Sequence, residues 1–527
     1  MFFVAFFTMK IIFFLLLVRA TYSYNILGIF THPMKSHHAA FDPLMIGLAE
    51  RGHQVTHVNT FPKTHQIANY HQVNVESCFT LPNTLSMETM KSMSSFFGAT
   101  HAILNFNPSF EEVLSCQPLI ELLNGSQKFD VLITEAFTTD FYILYANKLN
   151  IPVIGYHSNL PYTWHAERLG MPYNPSYIPA TLAGFPPRMN FIDRMMNLIG
   201  NLYSLYVYDT YSQEVYNELV PKYFGDGMPR LQDAVKNTSL IFFYSYFAYS
   251  GVRPLVPNAV EVGGMHVKDS KPLPKNIEKF INESKHGVVY FCMGSLLRGE
   301  TFPPEKREAF LYAFSKIPQR VLWKWEGDVL PGKSDNIMIS KWMPQRDILA
   351  HPNVKLFISH GGLLGTSEAV YEGVPVLGIP IFGDQRTNIK SLEANGAGEL
   401  LDYNEISKEV VLEKIQRLLN DPKYKENAKL LSDRYRDRPM SPLDTAVYWT
   451  EYVIRHKGAP HLRTAAADMP WYQYLLLDVI AFIVAVLVAG LLIIYYTTKF
   501  ILRAIYGLIC GGGAKKGSSK SDKKKRN

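Results

Sequence analysis

Residues 342–385 read WMPQRDILAHPNVKLFISHGGLLGTSEAVYEGVPVLGIPIFGDQ, and this 44-residue stretch decides the fold. Val354 to Ser359 is a short run apolar on both faces, the pattern of a strand in a parallel sheet covered by helices. It ends in the turn His360-Gly361-Gly362, which opens a short helix, and a second apolar run from Val376 leads to Asp384-Gln385. Each part suits the holding of a nucleotide diphosphate sugar. The Trp342 indole can stack on a base. Two glycines let backbone N–H groups approach phosphate where a helix begins. Gly365 and Glu368, three apart on one helix face, let the diphosphate come close while the carboxylate accepts ribose hydroxyls. Asp384 and Gln385 can do the same for a sugar.

Composition removes several classes of function. A chain of 527 residues with 47% apolar content can bury two substantial cores. Its formal charge is +7, but from Lys499 onward nine Lys/Arg face one Asp, so residues 1–498 are close to neutral. The body offers no net basic charge for nucleic acid. Four cysteines (Cys78, Cys116, Cys292, Cys510) are too few and scattered for a disulfide framework or a zinc site. One Cys78–Cys116 bridge and two free buried thiols both remain open.

Both ends of the chain read as addresses. Lys10, the apolar run Ile11 to Val18 and the small residues around Ala20 form a secretory signal, cleaved after Ala20 or Ser23. Near the other end, Val479 to Tyr496 is uninterrupted by charge and long enough to span a bilayer, for which about 20 residues suffice. Trp471, Tyr472 and Tyr474 on one side and Tyr495 and Tyr496 on the other are placed like interfacial belts. The Lys-rich tail behind them is expected in the cytoplasm, touching anionic lipid. A type I endoplasmic reticulum membrane protein with a lumenal body follows, its Lys524-Lys525-Arg526-Asn527 end matching a di-lysine retrieval pattern. The sequons at Asn124, Asn237 and Asn282 agree with a lumenal body.

Between the ends, two series of short apolar runs alternate with helical patterns. The first is Ile26–Phe30, Val55–Val58, Val131–Thr134, Val153–Tyr156 and Leu240–Tyr244. The second is Val288–Met293, Val321–Trp325, Ile337–Ser340, Val354–Ser359 and Val376–Ile381. Proline-rich sequence near Arg253 to Asn258 and Lys271 to Pro274 marks the junction. Asp193 to Tyr223 reads as one long aromatic helix at a pocket mouth, and Ser441 to Arg455 as a late helix.

The order and spacing of the 342–385 motif resemble the signature of the UDP-dependent glycosyltransferases, and the SHHAAFDPLMIGLAERGHQVTHV style of the first half resembles arthropod members. The resemblance implies an α/β chain of GT-B type, two Rossmann-like domains facing a cleft, with a C-terminal single-pass helix. It divides the chain into a signal peptide (1–23), an acceptor-binding domain (24–255), a UDP-sugar-binding domain (256–435), helices returning to the first domain (436–470), a transmembrane helix (471–498) and a tail (499–527). It implies donor contacts from Gly294, Ser295, Trp342, Gln345, His360, Gly361, Gly362, Gly365, Glu368, Asp384 and Gln385. Leu364 stands where many vertebrate relatives carry Asn, so that polar contact must come from backbone.

The catalytic base follows from the same resemblance. In the family it lies sixteen positions before the His of an Arg-Gly-His, here Arg51-Gly52-His53, which selects His37 over His38. A neutral imidazole there can take the acceptor's proton. Asp42-Pro43 is itself a good helix start, which would leave His37 in a loop. The carboxylate that orients the base is Glu135 by direct alignment, or Asp140 five residues on; the family's shorter acid favours Asp140. With no Asp-x-Asp pair, neither metal nor other cofactor is implied, the UDP-sugar being a co-substrate. The expected reaction is inverting transfer of a hexose, most readily glucose, to a small lipophilic acceptor. Aromatic residues such as Phe96, Phe97, Tyr156, Tyr162 and Trp164 suit such an acceptor. Arg253 or Arg386 would be needed if the sugar were glucuronate. A transferase acting on lipid- or protein-linked glycans, a non-catalytic lumenal receptor and a homo-oligomer stay open.

Overall fold

The computed structural model describes residues 23–32, 34–78, 97–98, 100, 110–137, 140–186, 188–295 and 297–510. Residues 1–22 of the expected signal and the tail from 511 onward lie outside these, as does Phe96. Contacts divide the chain into a body through Ala467 and a C-terminal unit from Asp468.

The body holds two parallel sheets. The first runs β3-β2-β1-β4-β5-β6-β7, from β1 (Asn25–Phe30), β2 (Gln54–Asn59), β3 (Tyr70–Asn74), β4 (Val131–Glu135), β5 (Val153–His157), β6 (Thr238–Phe243) and β7 (Ala259–Glu261). The second runs β10-β9-β8-β11-β12-β13, from β8 (Val288–Cys292), β9 (Arg320–Lys324), β10 (Ile337–Ser340), β11 (Val354–Ser359), β12 (Val376–Gly378) and β13 (Gly398–Leu400). Alternate side chains of one strand feed opposite cores, as a pleated strand buried on both faces requires. Leu27 and Ile29 enter one cluster and Ile26 and Phe30 the other. Val289 and Phe291 likewise oppose Val288 and Tyr290. This is the two-sheet GT-B architecture expected from sequence.

Both sheets reverse their strand order once, between β1 and β4 and between β8 and β11. Ligands of doubly wound sheets bind at such switch points, outside the carboxyl ends of the strands. The first half extends beyond the expected limit at 255, because β7 pairs with β6 (Ile241 with Ala259).

Helix α1 spans Lys35–Glu50 and runs straight through Pro43, so Asp42-Pro43 does not start it. The reason lies in the Asp42 carboxylate, which pairs with Lys63 instead of capping a helix. His37 therefore sits in the first turn. The expected single aromatic helix is two, α2 (Phe191–Val207) and a segment Glu214–Phe224, joined by a π-helical turn at Tyr208–Gln213. The late helix, α5 (Pro442–Arg455), packs Ala446, Val447 and Val453 into the first half's core. Gly47 of α1 makes room for it: a Cβ there would fall 2.8 Å from Leu443 Cδ1. His53 and Glu451 close the contact at 3.2 Å.

Cys78 and Cys116 form a disulfide. Asn124, Asn237 and Asn282 are all exposed. In the C-terminal unit a short helix, Trp471–Tyr474, precedes an apolar helix, Leu477–Cys510, long enough to cross a membrane. That helix begins and ends later than the expected 471–498, since Lys499 and Arg503 are good helix formers and do not stop it.

Candidate active site

The carboxyl ends of both sheets open on one cleft of ≈ 790 Å³. From the first half it is lined by His37, Phe137, Ser158, Asn159 and Tyr162. From the second come Gly294, Ser295, Trp342, Gln345, His360, Gly362, Gly365, Glu368, Asp384 and Gln385. Of the expected catalytic and donor residues, three do not line it: Gly361, Glu135 and Asp140.

His37 Nδ1 lies 2.5 Å from Glu135 Oε1, with Ser158 Oγ at 3.3 Å. Glu135 is the last residue of β4, held in register beside β1 by the Thr134 hydroxyl, which donates to the Ile29 carbonyl at 3.0 Å. With Nδ1 given to the carboxylate, Nε2 is left to accept a proton. The ring is held by a parallel stack on His32 (4.1 Å, 6°) and by an edge contact with Phe137 at 4.8 Å. His38 instead turns inward. Its Nε2 meets the His32 carbonyl at 2.9 Å, and burial pushes its pKa down to about 4.

The preference for Asp140 is overturned. Arg168 Nη1 and Nη2 grip its two oxygens at 2.9 and 2.5 Å, and the Tyr208 hydroxyl donates to it as well. Arg168 and Asp140 are 2% and 4% exposed, so the pair is a buried clamp. It ties the loop after β4 to the π-helical turn, whose Tyr208 stacks on Trp164 (4.9 Å, 3°). The motif that relates Asp140 to a base gives no hint of the arginine 28 residues later that claims it.

His32, His37 and Glu135 bring ligand-type atoms within 4.8 Å of one another. The lone pairs of two parallel stacked imidazoles lie in parallel planes and do not converge on one ion, so the cluster fits a base and its carboxylate better than a metal.

On the donor side, helix α3 (Leu363–Glu372) starts after Gly362 with no side-chain cap, leaving its first N–H groups for an anion. The N–H of Gly361 is not among them, since it donates to Ser359 Oγ at 3.2 Å. Gly361 has φ of +84°, and a Cβ would strike Ile389 at 2.7 Å, so glycine serves the turn there. Gly294 and Gly362 flank His360 so closely that a Cβ would fall 2.5 and 2.3 Å from its ring. Burial, helped by Lys324, pushes His360 down to about 4. The ring is thus neutral and carries one N–H.

Gln345 Nε2 donates to Glu368 Oε2 at 2.7 Å, and Gly365 leaves space for that amide. Burial pushes the Glu368 carboxyl up to about 7. Gln385 spends its carbonyl on the backbone N–H groups of Ile381 and Phe382 (2.8 and 3.2 Å). Asp384, which precedes helix α4 (Gln385–Ala394), accepts from Asn388 at 2.7 Å. Trp342 is 69% exposed at the rim, where a planar base has room to stack.

Neither arginine considered for a sugar carboxylate reaches the cleft. Arg386 pairs with Asp402 at 3.3 Å, and the half-buried Arg253 donates to the Pro179 carbonyl at 3.2 Å. Lys35, which sequence reasoning passed over, does line it. Two supposed acceptor aromatics, Tyr156 and Trp164, belong to the core at 0% and 4% exposure, whereas Tyr162 lines the cleft.

Comparison with known proteins agrees with this geometry. Residues 36–511 match the family model described as UDP-glucoronosyl and UDP-glucosyl transferase. UDP-glycosyltransferase UGT5 of Dactylopius coccus is 59% identical over 94% of this chain and 96% of its own length. UDP-glucosyltransferase 2 of the same insect is 41% identical over 95% and 96%. Human UDP-glucuronosyltransferase 2B10 is 36% identical over 73% and 72%. Among solved structures, the calicheamicin glycosyltransferase CalG4 superposes with a TM-score of 0.56 over 82% of this chain and 99% of its own, at 17% identity. The glycotransferase of kitacinnamycin gives 0.51 over 82% and 98%, at 16%.

Proposed function

Since this chain belongs to the UDP-glucoronosyl and UDP-glucosyl transferase family, we propose that it moves glucose from UDP-glucose to the hydroxyl of a small lipophilic acceptor, with inversion and with His37 as general base. The observation that carries the reading is the meeting of the His37–Glu135 pair and the 342–385 segment across one cleft. His37 Nε2 removes the acceptor proton as oxygen attacks the anomeric carbon. Glu135, through Nδ1, holds the ring in the right tautomer and stabilises the imidazolium that forms. His360, Ser295 and the N-terminus of α3 receive the departing UDP, so the reaction calls for no metal. Asp384 and Gln385 hold the sugar. The apolar span and the exposed sequons support a membrane-anchored, lumenal enzyme.

Glucose is preferred because Arg253 and Arg386 lie outside the cleft, Arg346 and Lys324, which line it, are paired with Glu372 and Glu326, and a relative at 41% identity is named a glucosyltransferase. Microsomes given UDP-glucose, UDP-glucuronate and a panel of phenols should yield glucosides by mass spectrometry. Glucuronides as the main product would refute the sugar. Lys35→Ala should leave glucoside yield within about twofold and remove any minor glucuronide, a carboxylate being the group that needs a cation.

The Glu368 shift makes donor binding pH-dependent. A carboxyl that titrates near 7 in the empty cleft must lose its proton to accept both ribose hydroxyls. Below pH 7 that proton has to be expelled, so affinity falls as pH falls. Between pH 8 and pH 6, UDP-glucose affinity should drop about tenfold. UDP-glucose is the probe because its diphosphate is esterified at both ends, so the step near 6 of a terminal phosphate does not intrude. Calorimetry with Glu368→Gln should give a flat profile, and an unchanged slope would assign the proton elsewhere.

A further inference from the structure

The linker between the halves carries Val262-Gly263-Gly264-Met265-His266, and the cleft uses its histidine. His266 is 9% exposed in its side chain. Its Nδ1 is hydrogen-bonded to the hydroxyl of Tyr244, the residue that follows β6 of the first half. Its Nε2 lies 3.7 Å from Glu368 Oε1 in the second half and is buried with no hydrogen bond of its own. The Leu364 carbonyl and the Arg346 charge also act on this ring. Burial pushes the imidazole down to about 3, so the ring is neutral and carries one N–H. At pH 8 the group that Nε2 approaches, the Glu368 carboxylate, is an acceptor. The proton therefore belongs on Nε2, and Nδ1 accepts from the Tyr244 hydroxyl.

We propose that His266 is a positioning residue for the donor's ribose: tautomer-locked by Tyr244, it presents Nε2–H to Glu368 Oε1 while Gln345 holds Oε2, so that each carboxylate oxygen keeps a lone pair for one ribose hydroxyl. The two supports come from different places. Gln345 lies at the start of the short helix Gln345–Leu349 of the donor half, whereas His266 hangs from the linker and is anchored on the first half. Ribose recognition thus depends on a residue outside the donor sheet. The 3.7 Å separation leaves the ring one short movement from a charge-assisted hydrogen bond.

The inference rests on Glu368 being the ribose-binding carboxylate, and the test separates the two. Full-length detergent-solubilised protein is titrated at pH 8 with UDP and with 2′,3′-dideoxy-UDP, as wild type, Glu368→Ala, His266→Ala, His266→Gln and Tyr244→Phe. Wild type should prefer UDP. His266→Ala should lose about tenfold in UDP affinity and almost nothing for the dideoxy nucleotide. His266→Gln, whose amide donates from nearly the position of Nε2, should recover most of the loss. Tyr244→Phe, which frees the tautomer but keeps the ring, should fall between. Equal losses for both nucleotides in His266→Ala, or failure of His266→Gln to rescue, would reduce the histidine to a packing residue and overturn the proposal. Should Glu368→Ala keep the full preference for UDP, the ribose assignment itself fails and takes this inference with it. Loss of the preference in Glu368→Ala but not in His266→Ala sinks the histidine's role alone.

Discussion

Asp140→Ala should destabilise the protein by about 3–5 kcal/mol, more than any other single change to the candidate carboxylates, because it strands the Arg168 guanidinium in the interior. Burial alone would push that guanidinium's pKa down, and Asp140 with Tyr208 reverses the direction. Removing the partner leaves the desolvation cost unopposed. Denaturant melts of the solubilised protein should show the loss as a lower midpoint. Exchanging the pair for well-packed apolar residues, as in Asp140→Leu with Arg168→Met, should recover much of it, since a buried ion pair gains little over an apolar pair. What survives of Asp140→Ala should bind UDP and turn over acceptor at close to the wild-type rate per folded molecule. A clean loss of kcat with an unchanged melt would restore Asp140 to the catalytic pair.

His37→Ala should do the reverse. Its melt should move little, because His37 is polar, lies in the first turn of α1 and faces the cleft. The rate constant kcat should fall by about 10²–10⁴, the span that a positioned general base supplies. UDP affinity should hold, since the donor grip belongs to the other half. Glu135→Gln should fall in the same direction, because an amide can present its oxygen to Nδ1–H but cannot stabilise the imidazolium. Stopped-flow or end-point assays at saturating donor separate these from a KM effect. A His37→Ala enzyme within tenfold of wild type would remove the base from this account.

The contacts of Asp140 with Arg168 and of Glu135 with His37 mark where sequence reading ends. The donor half was legible because its groups are contiguous: strand, turn and helix place His360, Gly362, Gly365 and Glu368 by local geometry alone. The interior strands were legible for a related reason. A strand buried on both faces writes an unbroken apolar run, as Val131 to Thr134 and Val288 to Cys292 do. Of the four sheet edges, β10 writes such a run and was read, whereas the other three do not. β3 (YHQVN) leaves Tyr70, His71, Gln72 and Asn74 at least partly open to solvent, and β7 and β13 are three residues each. All three went unread.

The residues that complete the site from a distance were the hardest. Arg168 decides which carboxylate is free to meet His37, yet it is paired across 28 positions by tertiary packing. The start of α1 was ambiguous for the same reason, since Asp42 looks like a cap until Lys63 claims it. His266 and Lys35 carry no motif of their own, and only the cleft gathers them. Glycines split between the two cases. Gly362 was read as room for phosphate and does border the cleft, whereas Gly361, with its N–H spent on Ser359, serves the turn.

The central claim is a single displacement, with the acceptor oxygen deprotonated by His37 on one side of the sugar and UDP leaving from the other. The configuration of the product tests it most directly. Wild-type enzyme given UDP-α-D-glucose and a simple phenol should yield only the β-glucoside by proton NMR of the anomeric signal, recorded before any equilibration. An α-glucoside would require a double displacement or a front-side attack, and would contradict the arrangement of base and donor grip described above.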